Sequence, residues 1–419
     1  MNAVVGGALP KNAEPGGSSG PQPAPEDGTA RRNAAGPAGP AGPAGTDGFA
    51  LVRMAAATAV LVDHAVPLTG NGLGLLPQEW LGINLGAWAV SAFMAISGYF
   101  VCRSWERDPS VWRYLVRRFL RIYPALVVLL LLTVFALGPW VTSLPVGAYF
   151  AHPLTWDYLT DNLMVFPTAY FLPGVFEGSP NVGAVNGSLW SLPVEVFGYG
   201  LVVVLGVVGG LRHRWMTVAA ALLCSTALAR FMTDQWNPGP SLLLMPTKAL
   251  LQMVPIYLYG MALYLYRDRV RLSWWGVAAC VGVEVVFFGS PLVEVTRGVT
   301  LAYLPLAAGA LLPRRIPLPA TVGLASYGVY LYGFPVEQLL VWYGVRDMYL
   351  LMLLATVVTL PLAMLSWRLV ERPAMEFRSV LFRRARVWRA RSRGERADGQ
   401  PAAGLGTAPV EPRTTSSGR

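Results

Sequence analysis

The sequence predicts an all-α protein, a polytopic transmembrane bundle of about ten helices with both termini in the cytoplasm. Three observations carry that expectation. Of 419 residues, 54% are hydrophobic and 13% charged, about half the charged share of a soluble domain. Mean hydropathy is +0.46. The apolar residues gather into ten runs of near-bilayer length, and arginines crowd into alternate loops between them.

Residues 1–46 are rich in Gly, Ala, Pro and Ser and read as a disordered tail. The Gly-Pro-Ala triplets ending at Gly45 are too few for a collagen helix. No apolar core follows the first residues, so no signal peptide is expected. The ten runs follow at 49–68, 84–103, 120–140, 191–210, 215–232, 246–266, 273–289, 297–313, 321–342 and 348–369. Arg103, Arg107, Arg113, Arg117, Arg118 and Arg121 separate the second run from the third. Arg212 and Arg214 follow the fourth, Arg267, Arg269 and Arg271 the sixth, and Arg314 and Arg315 the eighth. The other loops are nearly free of basic residues, with Arg297 and Arg346 the main exceptions. Basic loops stay in the cytoplasm, which fixes the expected orientation. The net charge of +10 is therefore topological, and no nucleic-acid partner is expected. The arginines from Arg368 to Arg396 read as an anchor on anionic lipid. A transmembrane domain over 47–376 and a basic, largely disordered tail over 377–419 complete the division. Cys102, Cys224 and Cys280 fall in or beside apolar runs and offer neither a disulfide framework nor metal-ligand spacing. The long outer loop, 141–190, is aromatic and rich in Gly and Pro, which suits either a partly re-entrant segment or an interfacial aromatic belt.

Ionisable residues inside the first apolar run draw attention. Arg53 and His64 stand eleven residues apart, so they share a helix face at a separation of roughly 16 Å. Charges at membrane depth usually face a cavity, although Arg53 could instead snorkel to the headgroups and His64 sit at the interface. Glu195, a few residues into the fourth run, is expected at the depth of His64, where the two could form a base and its orienting partner. A first-turn acid after Pro193, with Ser188 and Ser191 as caps, would explain the same residues structurally. Asp63 is a weaker orienting candidate. On the cytoplasmic side Arg117 and Arg121 lie four apart with Arg118 beside them, a fork suited to phosphate or simply to topology.

In four patches the chain resembles the acyltransferase 3 family of integral membrane acyltransferases, over about residues 47–376. They are Arg53-x10-His64; the run Ala89 to Phe100 followed by Arg117-Arg118-x-x-Arg121-Ile-x-Pro124; Asn186 to Glu195, like the family's Ser-Leu-Trp-Ser-Leu-x-x-Glu; and Ala325 to Pro335 with Leu369-Val-Glu371-Arg372-Pro373. Gly333 departs from the pattern, because many relatives carry a histidine there. His152 and His213 are no obvious replacements.

The resemblance implies an O-acyltransferase of the plasma membrane, moving an acyl group from cytoplasmic acyl-CoA, acetyl-CoA in the first instance, to a hydroxyl of a carbohydrate or other acceptor. Acyl-CoA is then a substrate, and no bound cofactor or metal is expected. His64 and Glu195 are the expected catalytic pair, and Arg53, Arg117, Arg118 and Arg121 the donor-binding cations. Ser97, Trp190, Ser191 and Tyr332 are expected to line the pocket. A secondary transporter or flippase is the alternative, although no inverted repeat is visible.

Overall fold

The computed structural model describes residues 48–72, 75, 83–180, 183–235, 239–312, 323–378 and 380–382. The chain divides into units 1–44 and 45–419, and every described residue belongs to the second. The expected N-terminal tail, Arg314, Arg315 and the chain after residue 382 lie outside the described residues.

Each expected apolar run is helical. The long helices are α1 (Gly48–Leu68), α2 (Leu85–Arg107) and α3 (Val111–Leu132). Two short helices of the outer loop follow, α4 (Val146–Ala151) and α5 (Pro153–Met164). Then come α6 (Ser191–Val207), α7 (Arg214–Met232), α8 (Thr247–Leu265), α9 (Trp274–Val286), α10 (Val293–Leu311), α11 (Ser326–Trp342) and α12 (Met348–Ser366). Strands β1 (Ser241–Leu242) and β2 (Met245–Pro246) pair antiparallel just before α8. Among the described residues, seven helical segments are long and apolar enough to cross a membrane by length and composition. The expected spans at α9, α10 and α11 do not reach that measure. α9 has 13 residues and α11 has 17, while α10 begins with Glu294 and Arg297. α11 is buried along most of its length, which suits a helix packed inside the bundle rather than against lipid.

Two differences from the expected spans have physical causes. α3 starts at Val111 rather than 120, because its arginine-rich first turns are amphipathic and helical before they become apolar. It continues through a π-turn, Thr133–Leu137, to Val141. The outer loop is not structureless. Pro153 opens α5, and the ring Nδ1 of His152 accepts from Leu154 N at 3.2 Å as its cap, which gives that histidine a structural task.

α8 lies at the centre, almost wholly buried, with α2 its most extensive neighbour. Reciprocal glycines set this contact. A Cβ on Gly98 would sit 2.1 Å from the Tyr257 carbonyl oxygen, and one on Gly260 would sit 2.3 Å from that of Ala95. Only bare backbone allows such an approach, the device by which membrane helices gain close packing. α1 in turn packs on α2, α11 and α10.

Candidate functional site

α1 exposes polar residues at both ends, and each end opens into its own cavity. The first, of about 410 Å³, is lined by Arg53, Arg117, Arg118, Arg121 and Arg378, with Glu195 the single acid. Arg117 bonds Asp108 at 2.6 Å, and Arg121 pairs with the buried Glu371 at 3.2 Å. Arg53 and Arg118 form no salt bridge with any described residue. The Arg53 guanidinium lies over Phe100, 5.7 Å from its centroid, and that of Arg118 over Tyr199 at 5.5 Å. Both are therefore oriented by aromatic faces while their charge stays available. Glu195 Oε1 accepts from Ser97 Oγ at 3.1 Å and from Tyr199 Oη at 2.5 Å. Among the charges of this cavity is an ordered, hydrogen-bonded carboxylate.

The second cavity, of about 350 Å³, is lined by Asp63, His64, Trp190, Lys248 and Gln252 among others. His64 Nδ1 points at Glu337 Oε2 of α11, 3.6 Å away, just beyond hydrogen-bond length. The Glu337 side chain is wholly buried, and neither of its oxygens has a hydrogen-bond donor among the described residues. Phe334, three residues earlier, meets the His64 ring edge to face at 5.0 Å. Because Nδ1 is buried and turned toward Glu337, Nε2 is the nitrogen left to the cavity. Such a unit can take a proton from a bound group and balance the resulting charge.

Val90 and Tyr330 line both cavities. The two recesses thus approach each other inside the bundle from opposite ends of α1.

An acyltransferase-domain model matches residues 47–368 of the chain. The chain belongs to that family. It is 30% identical over 372 residues to nodulation protein 10 of Rhizobium leguminosarum bv. viciae, covering 83% of this chain and 98% of the relative. It is 29% identical over 339 residues to O-acetyl transferase of Shigella phage Sf6, covering 77% of this chain and 94% of the relative. No solved structure matches. The protein is an O-acyltransferase enzyme built as a multi-pass membrane bundle.

Within the acyltransferase, the expected residues are divided between the two cavities. Glu195 does not meet His64, contrary to the expectation of a shared depth; it lines the arginine cavity instead. The reason is the path of the chain before α6. Asn186 and Ser188 are already buried, and a 3-10 turn, Gly187–Trp190, precedes the helix. The chain has therefore entered the bundle before the helix begins, so Trp190 lines the His64 cavity, Ser191 the arginine cavity, and Glu195 lies a turn further on. Backbone at such depth needs internal partners. Asn186 Nδ2 donates to Leu331 O at 2.9 Å and Tyr330 Oη to Ser188 O at 2.7 Å.

Ser97 lies in the arginine cavity, bonded to Glu195. Tyr332 lines neither cavity; its hydroxyl pairs with Ser366 Oγ at 3.3 Å, on the α12 side. The Arg117–Arg121 fork is not free, since carboxylates hold both of its guanidinium groups. Asp63 is likewise occupied: its carboxylate accepts from Leu75 N and Gly86 N, each at 3.0 Å, and so caps the start of α2. Gly333 packs against α1, where a Cβ would lie 3.2 Å from Leu61 Cδ1, one turn before Glu337 on the same face of α11.

Sequence reasoning missed Glu337, Tyr330 and Arg378. A glutamate inside an apolar run was visible as a signal for the first of these. Nothing in the sequence separated Tyr330 from the neighbouring tyrosines at 327 and 332.

Proposed function

We propose that the acyltransferase moves an acyl group, acetyl in the simplest case, from acyl-CoA in the arginine cavity to a carbohydrate hydroxyl in the His64 cavity. The observation that carries this reading is the pairing of His64 with buried Glu337 at one end of α1 while uncommitted arginines gather at the other. CoA presents several phosphates, and guanidinium groups recognise phosphate in a planar, multidentate way. Arg53, Arg118 and Arg378 are the cations that would hold it. In the plasma membrane the arginine cavity would face the cytoplasm, in keeping with the positive-inside rule.

In the transfer, His64 Nε2 accepts the proton of the acceptor hydroxyl as its oxygen attacks the thioester carbonyl. The carbon–sulfur bond then breaks, and the proton passes from His64 to the departing thiolate, giving CoA and an ester. Glu337 holds the ring and offsets the imidazolium charge. General-base catalysis of this kind contributes roughly 10²–10⁴-fold. Trp190 offers a flat apolar face suited to a sugar ring. The phage relative's name, O-acetyl transferase, supports both the acetyl group and the oxygen acceptor.

The test is acyl-CoA turnover by purified protein in lipid nanodiscs. His64→Ala should lower kcat by at least about 100-fold while acetyl-CoA binding stays within about threefold. A folded His64→Ala protein with near-normal turnover would overturn the assignment of the base.

A further inference from the structure

We infer that Val90 and Tyr330 form the passage between the two cavities and set the upper size of the acyl group that can be transferred. This rests on the reading that the donor occupies the arginine cavity. Its starting point is geometric: the donor cannot surrender its acyl group unless the thioester reaches His64, and these two side chains border both recesses. They are also buried, with Val90 3% and Tyr330 7% exposed.

The Tyr330 wall is held rigidly. Its hydroxyl donates to Ser188 O at 2.7 Å and pairs with Ser191 Oγ at 2.6 Å. Its ring meets Phe93 edge to face at 5.8 Å. The segment it grips is tied a second time to α11, through Asn186 Nδ2 and Leu331 O. Gly187 lies so close to Phe334 that a Cβ would come within 2.6 Å of the ring. Swinging the phenol aside would break two buried hydrogen bonds at once. Val90 stands on α2, the helix locked to α8 by the reciprocal glycines. Both walls are thus carried by stiff elements, and the opening cannot widen by small adjustments.

A narrow passage with stiff apolar walls discriminates by methylene count. One methylene too many in such a site costs about 10–200-fold in rate. Val90 is the side chain to vary, because an aliphatic side chain has no hydrogen bond or charge of its own to lose.

The experiment measures turnover of acetyl-, butyryl-, hexanoyl- and octanoyl-CoA by the purified acyltransferase in nanodiscs, with acceptor-free hydrolysis as the readout. Wild type should favour the shorter chains. Val90→Ala should raise the hexanoyl-to-acetyl rate ratio by about tenfold or more. Val90→Leu should move the ratio the other way, and it keeps the test open if the smaller variant fails to fold. Unchanged chain-length profiles in folded Val90→Ala and Val90→Leu would overturn the passage. Wild-type protein that neither binds nor turns over any acyl-CoA would instead overturn the donor reading beneath it.

Discussion

At Glu337 a carboxyl group is kept from water, with His64 Nδ1 3.6 Å from its Oε2. If it orients the ring, Glu337→Gln should lower kcat by roughly 10–100-fold with the KM for acyl-CoA unchanged, since the proposed donor cavity lies at the other end of α1. Combined with His64→Ala it should add no further loss, because residues acting as a unit are not additive. Steady-state kinetics on the double-mutant set checks this, and fully additive losses would detach Glu337 from His64. The arginines divide in a similar way. Arg118→Gln should raise the acyl-CoA KM severalfold in a protein that folds normally. Arg121→Gln should instead destabilise by about 3–5 kcal/mol, because it strands buried Glu371. Arg121→Gln with Glu371→Gln should recover much of that melting temperature, which thermal unfolding in detergent can read. The contrast was hidden from the sequence, in which Arg117, Arg118 and Arg121 look alike. The carboxylate that claims Arg121 is 250 residues away.

Helix positions were legible because apolar runs of bilayer length leave few alternatives. Depth was less so, and the start of α6 shows why. A count from the end of the loop assumes that a helix begins at the membrane edge, whereas here the chain from Asn186 to Trp190 has already passed inside. The signals for that route, Asn186 and Ser188, look like ordinary caps until their partners on α11 are known. The junction between α2 and α3 is a second case of chemistry concealed in a short loop. Asp108 takes hydrogen bonds from Arg113 and from Arg117, and these hold its carboxyl at about 2, below the usual 3.8. A depressed carboxyl stabilises the fold above its unfolded pKa, and the contribution disappears as pH falls through the folded one. The stability gap between wild type and Asp108→Asn should therefore be constant above about pH 5 and close between about pH 4 and 2. Melting curves across that range check it; a gap that persists at the acid end would mean that the asparagine costs something other than charge.

For the molecule as a whole, the arrangement of arginines gives an orientation that chemical labelling can test. In a background without Cys102, Cys224 and Cys280, a cysteine replacing Gly178 should react with an impermeant thiol reagent from outside intact cells. Cysteines replacing Arg107 or Arg269 should react only after lysis. Labelling of the Arg107 site in intact cells would invert the bundle and reverse the roles of its two recesses. The sequence implies this orientation, because charge placement is written locally. It did not supply the meeting of the recesses at Val90 and Tyr330, which depends on how α2, α6 and α11 pack around one another.

That thin meeting point has an electrical consequence. Polar recesses from both faces carry each side's potential inward, so a membrane voltage falls mostly across the layer of side chains between them. Each elementary charge crossing such a layer gains or loses about 2.3 kcal/mol per 100 mV. The proposed reaction sends no charge across. The phosphates stay among the arginines, an uncharged thioester advances, and an uncharged thiol withdraws with the acceptor's hydrogen on its sulfur. Esterification would then proceed at the same rate in an energised cell and in a depolarised one, drawing nothing from the ion gradients that the membrane maintains.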